Sequence, residues 1–231
     1  MRSHLKYATT AAPTLDSGIR NKVLRNTYLM LALTMIPTVI GAVIGTSTNF
    51  AFLAQSPIVG SLVMLALMIG LMFGVSATRN SIWGIVLLFL FTFVAGWWLG
   101  PMLQYALNFK NGSQLIGLAA AGTGAIFFTL AGIATVTRKD FGFMRNFLLV
   151  GLVLIILASL ANLFFAIPAV SLAISAAAVL IFSGFILFDV SRIVNGGETN
   201  YVMATLGIYL SIYNLFISLL QLLLAFSGER D

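Results

Sequence analysis

Long apolar runs separated by short polar connections dominate the chain, at roughly 24–46, 57–77, 82–104, 114–136, 146–166, 168–190 and 201–226. Each holds about 20 to 26 residues, enough at ~1.5 Å per residue to cross a ~30 Å hydrocarbon core. The pattern predicts an all-α membrane protein, a seven-transmembrane-helix bundle. A polar tail over residues 1–20 precedes one helical domain over 21–231. The connections leave no room for an extramembrane domain.

Within two of these runs the polar positions form stripes. In the last run Gly207, Ser211, Asn214, Ser218 and Gln221 recur at steps of four and three. At 100° per residue they fall within a stripe about 80° wide. Lipid cannot satisfy such a stripe, so it must face protein or water, which predicts that this helix lies inside the bundle. Asn214 and Gln221 then serve either as interhelical glue or as the lining of a polar path. In the sixth run Ser171, Ser175, Ala178, Phe182, Phe185 and Asp189 share one face. An acid in the last turn of a helix opposes the macrodipole. Arg192, three residues on, offers a local pair; the competing reading is a functional acid, because ionisable groups at membrane depth carry function by default.

Small residues four apart (Gly41 and Gly45, Gly70 and Gly74, Gly96 and Gly100, and Gly117, Ala121 and Ala125) predict close helix–helix packing.

Composition sharpens the membrane reading. The chain of 231 residues is 60% hydrophobic and 8% charged, whereas soluble domains carry about a quarter charged residues. The net charge of +6 does not point to nucleic acid, because the basic residues lie in the tail and in loops between apolar runs, where they set topology. Arg20, Lys22, Arg25, Arg79, Arg138, Lys139, Arg145 and Arg192 fall on one side, and Lys110 and Arg230 on the other. This predicts a cytoplasmic N-terminus, with the C-terminus outside if all seven runs cross; a re-entrant seventh segment would return it to the cytoplasm. The tail lacks an apolar h-region, so no cleavable signal peptide is expected. It is low in acids and rich in Ser and Thr, as transit peptides are, but its polar residues, Pro and Gly fit a flexible cytoplasmic tail better.

The available chemistry is narrow. There is no Cys, and the one histidine is His4, so membrane sites built on thiolate or imidazole are excluded. Between Asp16 and Asp189 the only other acid is Asp140, in a loop, so an aspartyl dyad within the spans cannot form. No span contains Lys, which excludes a retinal Schiff base, and no phosphate loop ending in Gly-Lys-Ser/Thr is present. No enzyme, cofactor or metal site is expected.

"FILFDVSRI" at 185–193 followed by "GIYLSIYNLFISLLQLL" at 207–223 resembles the two closing helices of the Bax inhibitor family. "NKVLRNTY" at 21–28, "TRKDFGF" at 137–143 and "GGETNYVMATLGIYLSIYNLFISLL" at 196–220 resemble its bacterial branch, associated with the FtsH membrane protease. The resemblance covers the chain from about residue 21. It implies six helices around a central seventh, in the bacterial inner membrane, with the FtsH complex as partner. It also implies an alternative, a pH-sensitive calcium or cation leak in which two aspartates share a proton beside an arginine. Asp189 matches the first aspartate, Ser211 stands at the second, and Arg79 lies near the arginine. Two close carboxylates share a proton because both cannot ionise cheaply; a carboxylate and a hydroxyl have no such reason. Asp189 is therefore expected as a latch, accepting hydrogen bonds from Ser211, Asn214 and the serines of its own face, rather than as a gate for Ca2+ or H+. A lipid-packing structural protein is the third reading.

Overall fold

The computed structural model describes residues 17–51 and 56–227. Its helices are α1 (Ser17–Ser47), α2 (Pro57–Ala77), α3 (Ile82–Trp98), α4 (Gly100–Leu107), α5 (Gly112–Thr137), α6 (Arg145–Phe165), α7 (Pro168–Val194) and α8 (Tyr201–Phe226), with a 3₁₀ turn at Gly142–Met144. Among the described residues, seven spans are long and apolar enough to cross a membrane, α3 and α4 together forming the third. Most of the tail expected over 1–20 lies outside the described residues; α1 already begins at Ser17.

Helix boundaries follow local chemistry. Pro57 and Pro168 sit in the first turns of α2 and α7, where a missing N–H costs nothing. The third run, expected as one helix over 82–104, breaks at Leu99 because Pro101 follows in the first turn of α4 and cannot continue the i→i−4 ladder. Gly196, with φ 79°, ends α7 and turns the chain, so that Gly197 N–H and Glu198 N–H both donate to Arg192 O, at 2.7 and 3.3 Å. Asn200 then opens α8, its Oδ1 accepting from the N–H groups of Val202 and Met203 at 3.0 Å each. From there α8 runs for 26 residues without a reversal, so a re-entrant hairpin has no turn to rest on.

The glycine spacing is used at one seam above all. Gly41 and Gly45 of α1 face Gly96 and Gly100 across the α3–α4 break, with backbone against backbone: a Cβ at Gly100 would stand 2.5 Å from Gly45 O, and one at Gly41 would stand 2.8 Å from Trp97 N. Around this seam Trp97 Nε1 donates to Thr48 Oγ1 at 3.0 Å, and Gln104 Nε2 donates to Gly45 O and Thr48 O at 2.9 Å each. Gly70 and Gly117 face open space, so small residues at that spacing do not all mark contacts.

Helix α8 packs against α1, α2, α3, α5 and α7 and buries Leu206, Ile208, Tyr209, Leu215 and Leu220 almost completely. Helix α6 packs on α7 and the 3₁₀ turn, and Leu148 is its one buried side chain.

Candidate functional site

The polar side chains singled out by sequence divide into three places. Asp189 and Arg192, on consecutive turns of α7, line a cavity of about 310 Å³ together with Glu198, Met72 and Ser76 of α2, and Gly207 and Leu210 of α8. The half-buried Asp189 carboxylate lies against the bare backbone of Gly207, where a Cβ would come within 3.3 Å of Oδ2. Arg192 does not pair with it. The turn at Gly196 brings Glu198 back beneath the guanidinium, and Arg192 Nη2 meets Glu198 Oε2 at 3.1 Å. The same guanidinium lies 5.7 Å from the Phe188 ring centroid. Glu198 is held from its other oxygen, Oε1 accepting from the N–H groups of Thr199 and Asn200 at 3.0 Å each. Asp189 itself accepts no hydrogen bond and closes no salt bridge among the described residues.

Beside this cavity lies a second of about 430 Å³ between α2, α3 and α8, lined by Met64, Met68, Trp98, Tyr213 and Asn214; Met72 and Leu210 line both. Asn214 faces this space while its Nδ2 donates to Leu210 O at 2.8 Å. Ser211 and Ser218 likewise donate to their own helix, at Gly207 O (3.1 Å) and Asn214 O (2.8 Å). The latch expected between Asp189 and Ser211, Asn214, Ser171 and Ser175 is therefore not formed. The α7–α8 polar bond lies at the opposite end of these helices, where Ser175 Oγ donates to Gln221 Oε1 at 2.7 Å. Of the stripe on α8, Gln221 alone acts as interhelical glue.

Arg79 is exposed and does not line the Asp189 cavity. Its carbonyl accepts from Asn200 Nδ2 at 3.2 Å, and Asn80 Oδ1 accepts from the same amide at 2.8 Å. One side chain thus caps α8 and ties it to the α2–α3 turn. Nearby, Ser191 and Asn195 of α7 hold the "TRKDFGF" loop: Ser191 Oγ donates to Lys139 O at 2.9 Å and accepts from Phe141 N–H at 3.1 Å, and Asn195 Nδ2 donates to Lys139 O at 3.2 Å.

Sequence reasoning passed over the tyrosines. Tyr209, 1% exposed, shares a 2.9 Å hydrogen bond with Thr38 Oγ1 and approaches Thr92 O at 3.3 Å. Tyr213 donates to Ala95 O at 2.9 Å and stacks on Tyr209, with ring centroids 6.1 Å apart. The spacing of four between them was visible, and a buried phenol needs a partner. No group of three or more His, Cys, Asp or Glu that could hold a metal comes together among the described residues.

The family described as Inhibitor of apoptosis-promoting Bax1 matches residues 20–228. The Escherichia coli K12 protein named Modulator of FtsH protease YccA is 42% identical over 203 residues, covering 88% of this chain and 90% of that one. Its counterpart in E. coli O6:H1, named Inner membrane protein YccA, matches at the same identity and coverage. An uncharacterized membrane protein of Vibrio cholerae is 44% identical over 203 residues, 88% of this chain and 89% of its own.

Proposed function

The chain belongs to the Bax inhibitor family of multi-pass membrane proteins, and from that premise we propose that it is a non-enzymatic inner-membrane protein that binds the FtsH protease complex and modulates its action on membrane substrates. The single observation that carries this reading is the 42% identity, over nine-tenths of both chains, with a protein named for modulating that protease. The architecture suits it: lipid-facing helices such as α6 offer lateral surface to a membrane partner, and the short loops hold no catalytic domain. In this reading α8 is the core on which five of the other six spans assemble, with α6 joining through α7. The N-terminus is cytoplasmic, because eight of the ten basic residues that count toward orientation fall on that side.

Purification of the tagged chain from crosslinked bacterial membranes tests the partner. FtsH is expected to accompany it, and membranes that yield the chain without FtsH would sink the proposal. Reporters fused after residues 50, 110 and 167 are expected outside, and those after 80, 140 and 195 inside.

One observation favours a second reading, the pH-sensitive calcium or cation leak: the Asp189 carboxylate is unpartnered and borders a cavity. Against it, Ser211 stands where the second acid would be and spends its proton on Gly207 O. Ion flux in liposomes holding the purified chain separates the readings. Calcium flux that follows pH and disappears in Asp189→Asn would make the acid a gate.

A further inference from the structure

Two carboxylates and one guanidinium border the cavity at the end of α7, and only Glu198 and Arg192 are paired. Asp189 is left with an open face toward the cavity. An occupant carrying an ammonium group would complete Asp189. Arg192, whose planar fork has five N–H donors, uses Nη2 on Glu198 Oε2 and Gly197 O and can present the remainder to an anion. The cluster thus complements a small group bearing both charges. It lies where such groups occur in a bilayer: Asp189 is five residues from the end of α7, roughly 8 Å of helix, and Glu198 is in the following connection.

The apolar wall indicates what is attached to that group. Met72 and Leu210 continue from the charged cavity into the second one. From Ser61 to Met72 the second cavity follows α2 for about 16 Å at ~1.5 Å per residue. Spread over that length, its 430 Å³ makes a narrow slot between the helices. Such a slot suits a single flexible chain. Met64, Met68 and Met72 stand along one side at every fourth residue, and unbranched thioethers reshape around such a chain.

We propose that the cleft between α2 and α8 is a phospholipid site for a zwitterionic primary-amine headgroup. The ammonium bonds Asp189, the phosphate bonds Arg192, and one acyl chain occupies the methionine-lined slot. A glycerol headgroup brings only negative charge to two carboxylates. A choline headgroup has no N–H to donate to Asp189. Ethanolamine phospholipid meets both demands. This assignment is independent of whether the chain binds a protease.

The full chain, delipidated in mild detergent, is reconstituted in nanodiscs holding equal amounts of phosphatidylethanolamine, phosphatidylglycerol and phosphatidylcholine with the same acyl chains. Lipid retained after ejection is counted by native mass spectrometry. Retention of the ethanolamine lipid is expected to exceed the other two by about tenfold, the effect of one charge-assisted hydrogen bond. Asp189→Asn, nearly isosteric, is expected to erase the preference. Leu210→Trp, checked by its melting temperature, is expected to lower retention of all three. A photoreactive methionine analogue at Met68 is expected to crosslink lipid. Equal retention of the three lipids by the wild type, a preference that survives Asp189→Asn, or crosslinking of Met68 to a polypeptide would each overturn the assignment.

Discussion

A methyl group added at Gly96 would meet the backbone of Thr38, its carbon 2.9 Å from Thr38 Cα and closer still to the carbonyl. A relaxed carbon contact needs ~3.5–4.0 Å. Because the obstacle is backbone, no side chain can rotate away, and α1 and α3 must separate by about 1 Å. Overpacking of this kind costs ~1–3 kcal/mol. Thr38 also shares the 2.9 Å bond with Tyr209, so displacing it adds about 1 kcal/mol. Gly96→Ala is therefore expected to cost about 2–4 kcal/mol, which at roughly 2–4 °C per kcal/mol lowers the melting temperature by roughly 4–16 °C. The matched control is Gly117→Ala on α5, where a Cβ meets nothing within 4 Å and alanine gains about 0.5–1 kcal/mol of helix preference over glycine. Scanning fluorimetry in one detergent suits both variants, since Trp97 and Trp98 flank the seam. A Gly96→Ala protein that melts with the wild type, or a Gly117→Ala protein that falls as far, would refute the seam as described.

Further outcomes follow from other contacts. Ala166 ends α6 at φ 49°, a left-handed conformation that costs a non-glycine residue ~1–2 kcal/mol, so Ala166→Gly is expected to raise the melting temperature by a few degrees in the same assay. Tyr209→Phe removes the phenol that meets Thr38 and Thr92 and is expected to cost ~1–3 kcal/mol, read from denaturation in detergent. A double-mutant cycle of Ser175→Ala with Gln221→Leu is expected to give a coupling of about 0.6 kcal/mol and no more than about 1.7, the range for membrane hydrogen bonds. Asp189→Asn breaks no bond seen in the structure, so its melting temperature should hold or rise; a drop as large as that of Tyr209→Phe would restore the latch.

How far the sequence could be read depended on the length of the signal. Apolar runs of 20 residues announce themselves whatever surrounds them, and all seven spans lie where the runs do. The break at Leu99 was also within reach, because Pro101 stood in the middle of a run. Partner choice was not. Ser211, Asn214 and Ser218 share a face, but hydroxyls and amides in helices can bond the carbonyl four residues back, and periodicity does not distinguish that from reaching across. Asp189 and Arg192 have the spacing of a pair; the turn at Gly196 delivers Glu198, six residues on, to the guanidinium instead, an outcome that helix periodicity does not carry past the end of α7. Tyr209 was overlooked because tyrosine in an apolar run reads as one more hydrophobic residue, while its hydroxyl found Thr38 across 171 positions of chain.

The placement of α8 bears on how the protein is made. The span with neighbours on α1, α2, α3, α5 and α7 follows all five of them along the chain. Until it enters the bilayer, Thr38 and the carbonyls of Thr92 and Ala95 wait without their tyrosines, and α5 and α7 lack the helix they pack against. The glycine seam between α1 and α3 can close early, whereas the contacts that α5 and α7 make with α8 wait for residues 201–226. A chain cut before Tyr201 would leave α1, α2, α3, α5 and α7 without the helix they share as a neighbour.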